Sequence, residues 1–279
     1  MDAKKIFTGS LTGKMGLNKG RKYYMKKSNF DTDLSNESII KSLIKKRLRE
    51  IGKTKIFESS SDEDRHGSDI KVSSVEIFHD TNIYHIDLKS ATNYRKVVGN
   101  SSIPTFAFEL QFLNEKKEVK DGWLYGDQYS LTDYYLLSWV WVETEEKTKP
   151  WIELKESDIA EIEYLIVPKK AITDYLKKYE MKKENYKNKI NDFKKQIIEY
   201  YHGKKEYAVC LKMKNGKYKS AELSLSNPKK YKNCIYKTVH LPKLFYSVNL
   251  PEKPINVVIE KTVLKDLGIY SERFSIKND

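Results

Sequence analysis

One apolar segment near the middle of the chain constrains the fold more than any other feature. Residues 134 to 142 read YYLLSWVWV, an almost continuously apolar run. A half-buried strand alternates apolar and polar residues, whereas a continuous run is typical of a strand buried on both faces. Both faces of such a sheet must be covered. We therefore expect an α/β protein with a mixed central sheet flanked by helices.

The residues before this run predict one helix and several strands. Ser35 is a plausible N-cap for an amphipathic helix that ends at Gly52. The polar stretch ESSSDEDRHGS predicts a loop over residues 58–68. Strands are expected at 69–78 and 83–91, joined by a hairpin turn at 79–82, and a third strand with regular alternation at 105–112.

The residues after this run continue the α/β pattern. A short strand is predicted at 162–167, followed by a helix at 169–179 that Pro168 opens. A basic helix is predicted at 182–201, and an Asn-Gly turn joins hairpin strands at 207–213 and 218–225. The last segment, 228–279, contains short apolar runs and a weak helix near 261–268.

Charge is distributed unevenly and suggests three regions. Residues 1–34 form a basic arm with 8 basic and 3 acidic side chains, residues 35–168 carry 18 and 24, and residues 169–279 carry 26 and 12. Basic ends around an acidic centre are expected of a protein that grips a polyanion and holds a cation between its ends. Lysines that only maintain solubility are the alternative. Without a signal-peptide pattern or a run of about 20 apolar residues, we expect a cytoplasmic protein.

Chemistry is suggested by Asp69 at the start of one predicted strand and by Asp87 and Lys89 in the next. Alternate residues of a strand share a face, so the Asp87 and Lys89 side chains leave the sheet together. With a second carboxylate from the neighbouring strand they would form a small site for Mg²⁺, which prefers oxygen ligands. Such an ion readies a water molecule for attack on a phosphate, and Lys89 would hold that water or the developing oxyanion.

The order of these residues resembles the PD-(D/E)XK nuclease superfamily, which has the restriction-endonuclease-like fold. The resemblance covers residues 35–168: a helix, an acidic loop, Gly67-Ser68-Asp69 opening a strand, and Asp87-Leu88-Lys89 at the end of the next. It implies a Mg²⁺-dependent DNA endonuclease, in which Mn²⁺ can replace Mg²⁺. Asp69 and Asp87 would be metal ligands, the Leu88 carbonyl a further oxygen, and Lys89 the catalytic lysine.

Other residues would complete or flank this site. Many members of the family add a glutamate from the preceding helix, and Glu37 is the first candidate and Glu50 the second. Further candidates come from the acidic loop and from the polar face of the strand at 105–112, namely Asp64, His66, Glu109 and Gln111. The sequence departs from the family pattern because no Pro precedes Asp69. A strict hairpin would also set Asp69 opposite Thr92, so its pairing with Asp87 requires a bulge or an asymmetric loop.

Basic residues outside the core are the candidate contacts to DNA. They are Lys19, Arg21 and Lys22 in the arm, and Lys187, Lys194 and Lys195 in the basic helix. Lysines act on a polyanion by releasing counterions, which needs no fixed geometry. RNA as substrate, a non-catalytic nucleic-acid-binding protein and a phage-type protein-interaction or inhibitor factor stay open as alternatives. Cleavage of both strands needs two active sites, so we expect a homodimer.

Overall fold

Two β-sheets form the framework of the part of the chain that the structure, a computed structural model, describes: residues 30–201, 208–214, 217–229 and 239–276. In these ranges the helices are α1 (Phe30–Arg49), α2 (Ser61–Arg65), α3 (Val75–Phe78), α4 (Lys169–Lys177), α5 (Tyr186–Tyr201) and α6 (Lys261–Leu267). The strands are β1 (Lys55–Glu58), β2 (Ile70–Ser73), β3 (Tyr84–Ser90), β4 (Lys96–Val97), β5 (Thr105–Leu113), β6 (Val119–Asp121), β7 (Tyr134–Val142), β8 (Ile159–Pro168), β9 (Val209–Lys214), β10 (Lys217–Ser224), β11 (Lys243–Ser247), β12 (Ile255–Glu260) and β13 (Tyr270–Ser275). None of the helices in these ranges is long and apolar enough to cross a membrane.

The first sheet is mixed, which confirms the predicted α/β class. Its seven strands run in the order β1-β2-β3-β7-β8-β13, with β4 also paired to β7. The pairs β3–β7 and β4–β7 are parallel, and the other pairs are antiparallel. A second, six-stranded antiparallel sheet has the order β6-β5-β12-β11-β10-β9 and was not predicted.

Strand β7 is buried on both faces, as its sequence predicts. Leu136 and Val140 pack in a core with apolar residues of α1, which covers one face of the first sheet. Tyr135 and Trp139 lie in the other core, where β5, β12, α4 and α5 supply the opposing side chains. The first sheet is therefore the middle layer of the molecule, and its second face looks toward the second sheet.

Several predicted boundaries are wrong. Helix α1 begins at Phe30, so Ser35 is not its N-cap but lies inside the helix, where its hydroxyl donates to Glu153 at 2.9 Å. The predicted loop at 58–68 contains α2, which a capping box between Ser60 and Glu63 stabilises. Helix α5 begins at Tyr186 rather than at residue 182.

The predicted strand at 69–78 is the most consequential error. The chain leaves the sheet after Ser73, and residues 75–78 form α3, whose Ile77 side chain is fully buried. Apolar residues in this stretch therefore serve a short helix that packs into the core. The connection between β2 and β3 is longer and less symmetric than a hairpin turn.

The chain after residue 168 contributes to both sheets. Strand β13 forms an edge of the first sheet against β8, and β12 pairs with β5 in the second. The predicted hairpin is present as β9 and β10, but its turn at 215–216 lies outside the described residues. Helix α6 confirms the predicted helix near 261–268.

Candidate active site

The register between β2 and β3 brings Asp69 opposite Asp87. Ile70 pairs with Ile86, so Asp69, which precedes Ile70, faces Asp87, which follows Ile86. The Asp69 amide donates to the Ile86 carbonyl at 2.9 Å, and the Leu88 amide donates to Asp69 Oδ2 at 2.7 Å. Helix α3 takes up the residues that a strict hairpin would have paired. The connection thus has the asymmetry that this register requires.

Gly67 turns the chain into β2. Its φ of +85° lies in the left-handed region, which residues other than glycine rarely adopt. A Cβ at this position would lie 2.4 Å from Thr132 Oγ1, which donates a hydrogen bond to the Gly67 carbonyl at 2.7 Å. The turn is therefore fixed against the residues that precede β7.

Asp87 and Lys89 form a close ion pair at the centre of the site. Lys89 Nζ lies 2.6 Å from Asp87 Oδ1, while Asp87 is only 3% exposed. Asp87 Oδ2 is buried and has no hydrogen-bond partner among the described residues. Burial raises the pKa of Asp87 to about 7; the Asp69 charge adds to this rise, and Lys89 opposes it.

Lys89 remains a strong cation despite its position. Burial favours the neutral amine, but the charges of Asp87 and Asp69 outweigh it, so the pKa of Lys89 is raised. Its ammonium also lies 5.5 Å from the centre of the Trp123 ring, where a cation–π attraction adds to the carboxylate contacts. The Lys89 side chain therefore provides a fixed positive charge at the site.

Asp69 is held by two lysines. Lys41 of α1 forms an ion pair with Asp69 Oδ1 at 2.8 Å. Burial favours the protonated carboxyl, but Lys89 and Lys41 together lower the pKa of Asp69. Asp64 lies beside it: burial raises the pKa of Asp64, and so do a hydrogen bond to Asp69 and the Asp69 charge.

Two glutamates on other elements interact with Lys89. Burial raises the pKa of Glu37 on α1, while Lys89 and a backbone hydrogen bond from Ser90 oppose the rise. Burial raises the pKa of Glu109 on β5 to about 7, again opposed by Lys89. Five carboxyl groups thus interact with Lys89 or with each other. We call them the carboxylate cluster: Glu37, Asp64, Asp69, Asp87 and Glu109.

The remaining predicted candidates contact other groups. His66 Nδ1 contacts the Asp62 carbonyl at 2.7 Å, within its own short helix. Gln111 accepts from Lys194 at 3.0 Å, and Glu50 pairs with Arg47 at 2.7 Å near the far end of α1.

Three neighbours of the cluster were not predicted as site residues: Lys41, Lys169 and Trp123. Lys41 had a signal, because it lies four residues after Glu37 and so on the same face of α1. Lys169 is close enough to Asp87 for the two charges to interact, but it lies far along the chain. Trp123 lies in no element that the sequence predicts. A pattern within one helix can identify Lys41, but it cannot identify Lys169 or Trp123.

The donor set of the cluster fits a Mg²⁺ ion that takes few protein ligands. No three His, Cys, Asp or Glu side chains in the described ranges are arranged to hold a metal together. Mg²⁺ needs only one or two carboxylates, because it keeps several waters and binds substrate phosphates. Asp69 and Asp87 supply two, and the unpartnered Asp87 Oδ2 is an oxygen that a cation would satisfy. Leu88, whose amide binds Asp69, lies beside them.

The predicted DNA-binding lysines differ in their surroundings. Lys19, Arg21 and Lys22 lie outside the described residues. On α5, Lys195 is exposed, whereas Lys187 pairs with Asp121 at 2.8 Å. Lys194 is half-buried, and burial lowers its pKa.

Comparisons of this chain with protein-family models, curated proteins and solved structures find no match. Two opposed carboxylates can hold a divalent cation, and the fixed ammonium beside them can donate a hydrogen bond to a nearby water or oxyanion.

Proposed function

We propose that this protein is a Mg²⁺-dependent DNA endonuclease of the restriction-endonuclease-like, PD-(D/E)XK type. The observation that carries the proposal is the convergence of Asp69, Asp87 and Lys89, with the lysine ammonium 2.6 Å from Asp87. Their order along the chain and their placement on two neighbouring strands are those of the family resemblance.

Each side chain has a definable part in phosphodiester hydrolysis. Asp69 and Asp87 would hold Mg²⁺, which when bound readies water for attack and neutralises charge on the phosphate. Lys89 keeps its proton because the charges of Asp87 and Asp69 outweigh burial, so it donates hydrogen bonds to the attacking water or the phosphate oxyanion. Glu37 and Glu109 interact electrostatically with Lys89 and add negative charge around its ammonium when they are ionised.

Cleavage of plasmid DNA with Mg²⁺ tests the proposal. Asp87→Asn removes a ligand charge, and Lys89→Gln removes the ammonium at nearly constant volume. Because the first weakens the metal site and the second removes a donor to the reacting phosphate, we expect each to lower the cleavage rate by at least about 100-fold. EDTA should abolish cleavage by the unaltered protein.

The control is Lys55→Gln, which removes an exposed lysine on the edge strand β1 and should leave the rate unchanged. Cleavage that survives both Asp87→Asn and Lys89→Gln would refute the mechanism. Cleavage of both DNA strands by a homodimer stays a prediction.

A non-catalytic nucleic-acid-binding protein on the same fold is the second candidate. It is favoured by the excess of basic over acidic side chains in residues 169–279, 26 against 12. Phosphate contacts alone would then set the affinity. This candidate predicts salt-sensitive DNA binding that EDTA does not change, together with no cleavage in Mg²⁺ or Mn²⁺.

A further inference from the structure

A basic cavity of about 480 Å³ lies beside the segment that leads into β7. It is bounded by residues 124–133, by α4 and by the chain that leads into α5. Five lysines line it, and we call it the lysine pocket: Lys169, Lys170, Lys177, Lys182 and Lys183. Its acidic lining residues are Asp133 and Glu184, so positive charge is in excess.

The lysines of the pocket are only partly neutralised. Lys170 and Lys177 share one carboxylate, that of Asp174, and Lys183 pairs with the highly exposed Asp127 at 2.6 Å. Among the described residues, Lys182 and Lys169 form no ion pair within 4.0 Å. The acidic Asp133 is already engaged, because it accepts the His85 amide at 2.9 Å. An anion that enters the pocket therefore displaces no close ion pair at Lys169 or Lys182, whereas the other three lysines share the carboxylates of Asp174 and Asp127.

The pocket shares structure with the carboxylate cluster. Lys169 Nζ donates to the Tyr129 carbonyl at 2.6 Å and interacts electrostatically with Asp87. Thr132 in the pocket wall binds the Gly67 carbonyl, and the Leu131 amide donates to His66 at 3.1 Å. The segment that carries Asp64 and Asp69 is thus anchored to the pocket wall.

The lining chemistry matches a phosphate group attached to a nucleoside. Ammonium groups bind phosphate as point charges, and the exposed Ser130 hydroxyl can donate a further hydrogen bond. Tyr125 and Tyr129 give the pocket an aromatic wall on which a base or sugar can pack. The volume lies within the range of about 300–1,000 Å³ that is usual for ligand pockets.

We propose that the lysine pocket binds a phosphate group of the nucleic-acid strand whose neighbouring phosphodiester lies at the carboxylate cluster. This inference rests on the proposed function and adds to it the subsite that holds the strand. Nothing in it requires a particular base sequence, because phosphate contacts position a strand without reading it.

DNA binding in EDTA, where cleavage is suppressed, tests the inference on the full chain. The test variant is Lys182→Gln/Lys183→Gln, which alters two exposed lysines of the pocket. The matched control is Lys53→Gln/Lys55→Gln, which removes the same charge near β1, at the far edge of the first sheet from the pocket. Fluorescence anisotropy with labelled duplex DNA is measured across a series of salt concentrations.

Each lost phosphate contact lowers the slope of log affinity against log salt by about 0.9. Because the pocket holds one phosphate, we expect the pocket variant to lose about one unit of slope and about tenfold in affinity at ~0.1 M salt, and the control to lose much less of both. Equal losses in the two variants would overturn the inference.

Deoxynucleoside monophosphate and inorganic phosphate distinguish the source of the phosphate. Both are added to the unaltered protein and to the pocket variant while the thermal midpoint of unfolding is recorded. Stabilisation by the monophosphate that the pocket variant loses, together with its weaker DNA binding, supports a strand phosphate. The same stabilisation with unchanged DNA binding assigns the pocket to a free phosphate compound and overturns the inference.

Failure of this inference and failure of the proposed function give different results. If Lys89→Gln abolishes cleavage while the pocket variant and its Lys53→Gln/Lys55→Gln control bind DNA equally, the nuclease proposal stands and the pocket assignment falls. If the pocket variant loses DNA binding while the unaltered protein cleaves nothing, the pocket stands and the nuclease falls.

Discussion

The carboxylate cluster and the lysine pocket are neighbours, but their charges are held in different ways. In the cluster, Asp87 is buried and Glu109 is half-buried, and burial is the main reason that the pKa of each rises to about 7. In the pocket, four of the five lysines are exposed and only Lys169 is half-buried. The charged groups of the cluster are therefore partly or fully removed from water by the fold, whereas most of the ammonium groups of the pocket are still solvated.

This difference predicts how each region responds to mutation. Water screens exposed charges and makes them nearly interchangeable, so losing one lysine of the pocket should have a graded effect. Buried charges interact strongly and at fixed positions, so no neighbour can replace one that is lost. Single substitutions in the cluster should consequently have larger effects than single substitutions in the pocket.

The largest effect on stability is expected at Gly67, where the two regions are joined. Gly67→Ala would strain a φ of +85° and also press a methyl group against Thr132. Gly99→Ala is the matched control, since Gly99 has a φ of +88° but nothing within 4 Å of its added Cβ. We expect Gly99→Ala to lower the free energy of unfolding by about 1 kcal/mol and Gly67→Ala by about 2–4 kcal/mol.

Urea unfolding of both glycine variants measures the difference. Equal losses would mean that Thr132 moves aside freely and that the turn does not tie the cluster to the pocket wall. A larger loss for Gly67→Ala, accompanied by weaker DNA binding, would show that the two regions depend on the same turn.

A smaller effect, on catalysis, is expected from Glu37. Glu37→Gln keeps the shape of the side chain but removes the charge that faces Lys89, so the ammonium is held less firmly. By analogy with residues that orient metal-site groups, we expect the DNA cleavage rate to fall about 10- to 100-fold. Glu50→Gln, just past the end of α1 and about 20 Å from Glu37, should leave the rate within about twofold. Equal rates for the two variants would remove Glu37 from the cluster.

Much of the candidate site could be predicted because local periodicity determines it. The period of two in a strand puts Asp87 and Lys89 on one face, and the helical period puts Glu37 on the face of α1 that carries the buried Ile40 and Ile44. The apolar run of β7 likewise predicted a strand covered on both sides. Each of these predictions concerns residues within one element.

The rest depends on contacts between distant segments, which no local pattern encodes. Residues 75–78 have the apolar content of a strand, yet Ile77 gains more by packing into the core as part of a helix. The second sheet forms because β12 pairs with β5 across more than 140 residues, and its register has no signature in either strand alone. Lys169 reaches Asp87 only because β8 returns beside β7.

The smallest predicted effect is the pH dependence that Glu109 gives to stability, and it tests directly whether burial governs the cluster. The pKa of Glu109 is about 7 in the folded protein and near its ordinary value of 4.5 after unfolding. Between these values the folded state binds more protons, so the glutamate lowers the free energy of unfolding as pH rises through this window. Glu109→Gln, which does not titrate, should be relatively more stable at pH 8 than at pH 4.5 by about 1–2 kcal/mol, after allowing for solvent screening. Urea unfolding in EDTA measures this, with Glu118→Gln as control: Lys120 lowers the pKa of the exposed Glu118, so that variant should gain nothing at pH 8.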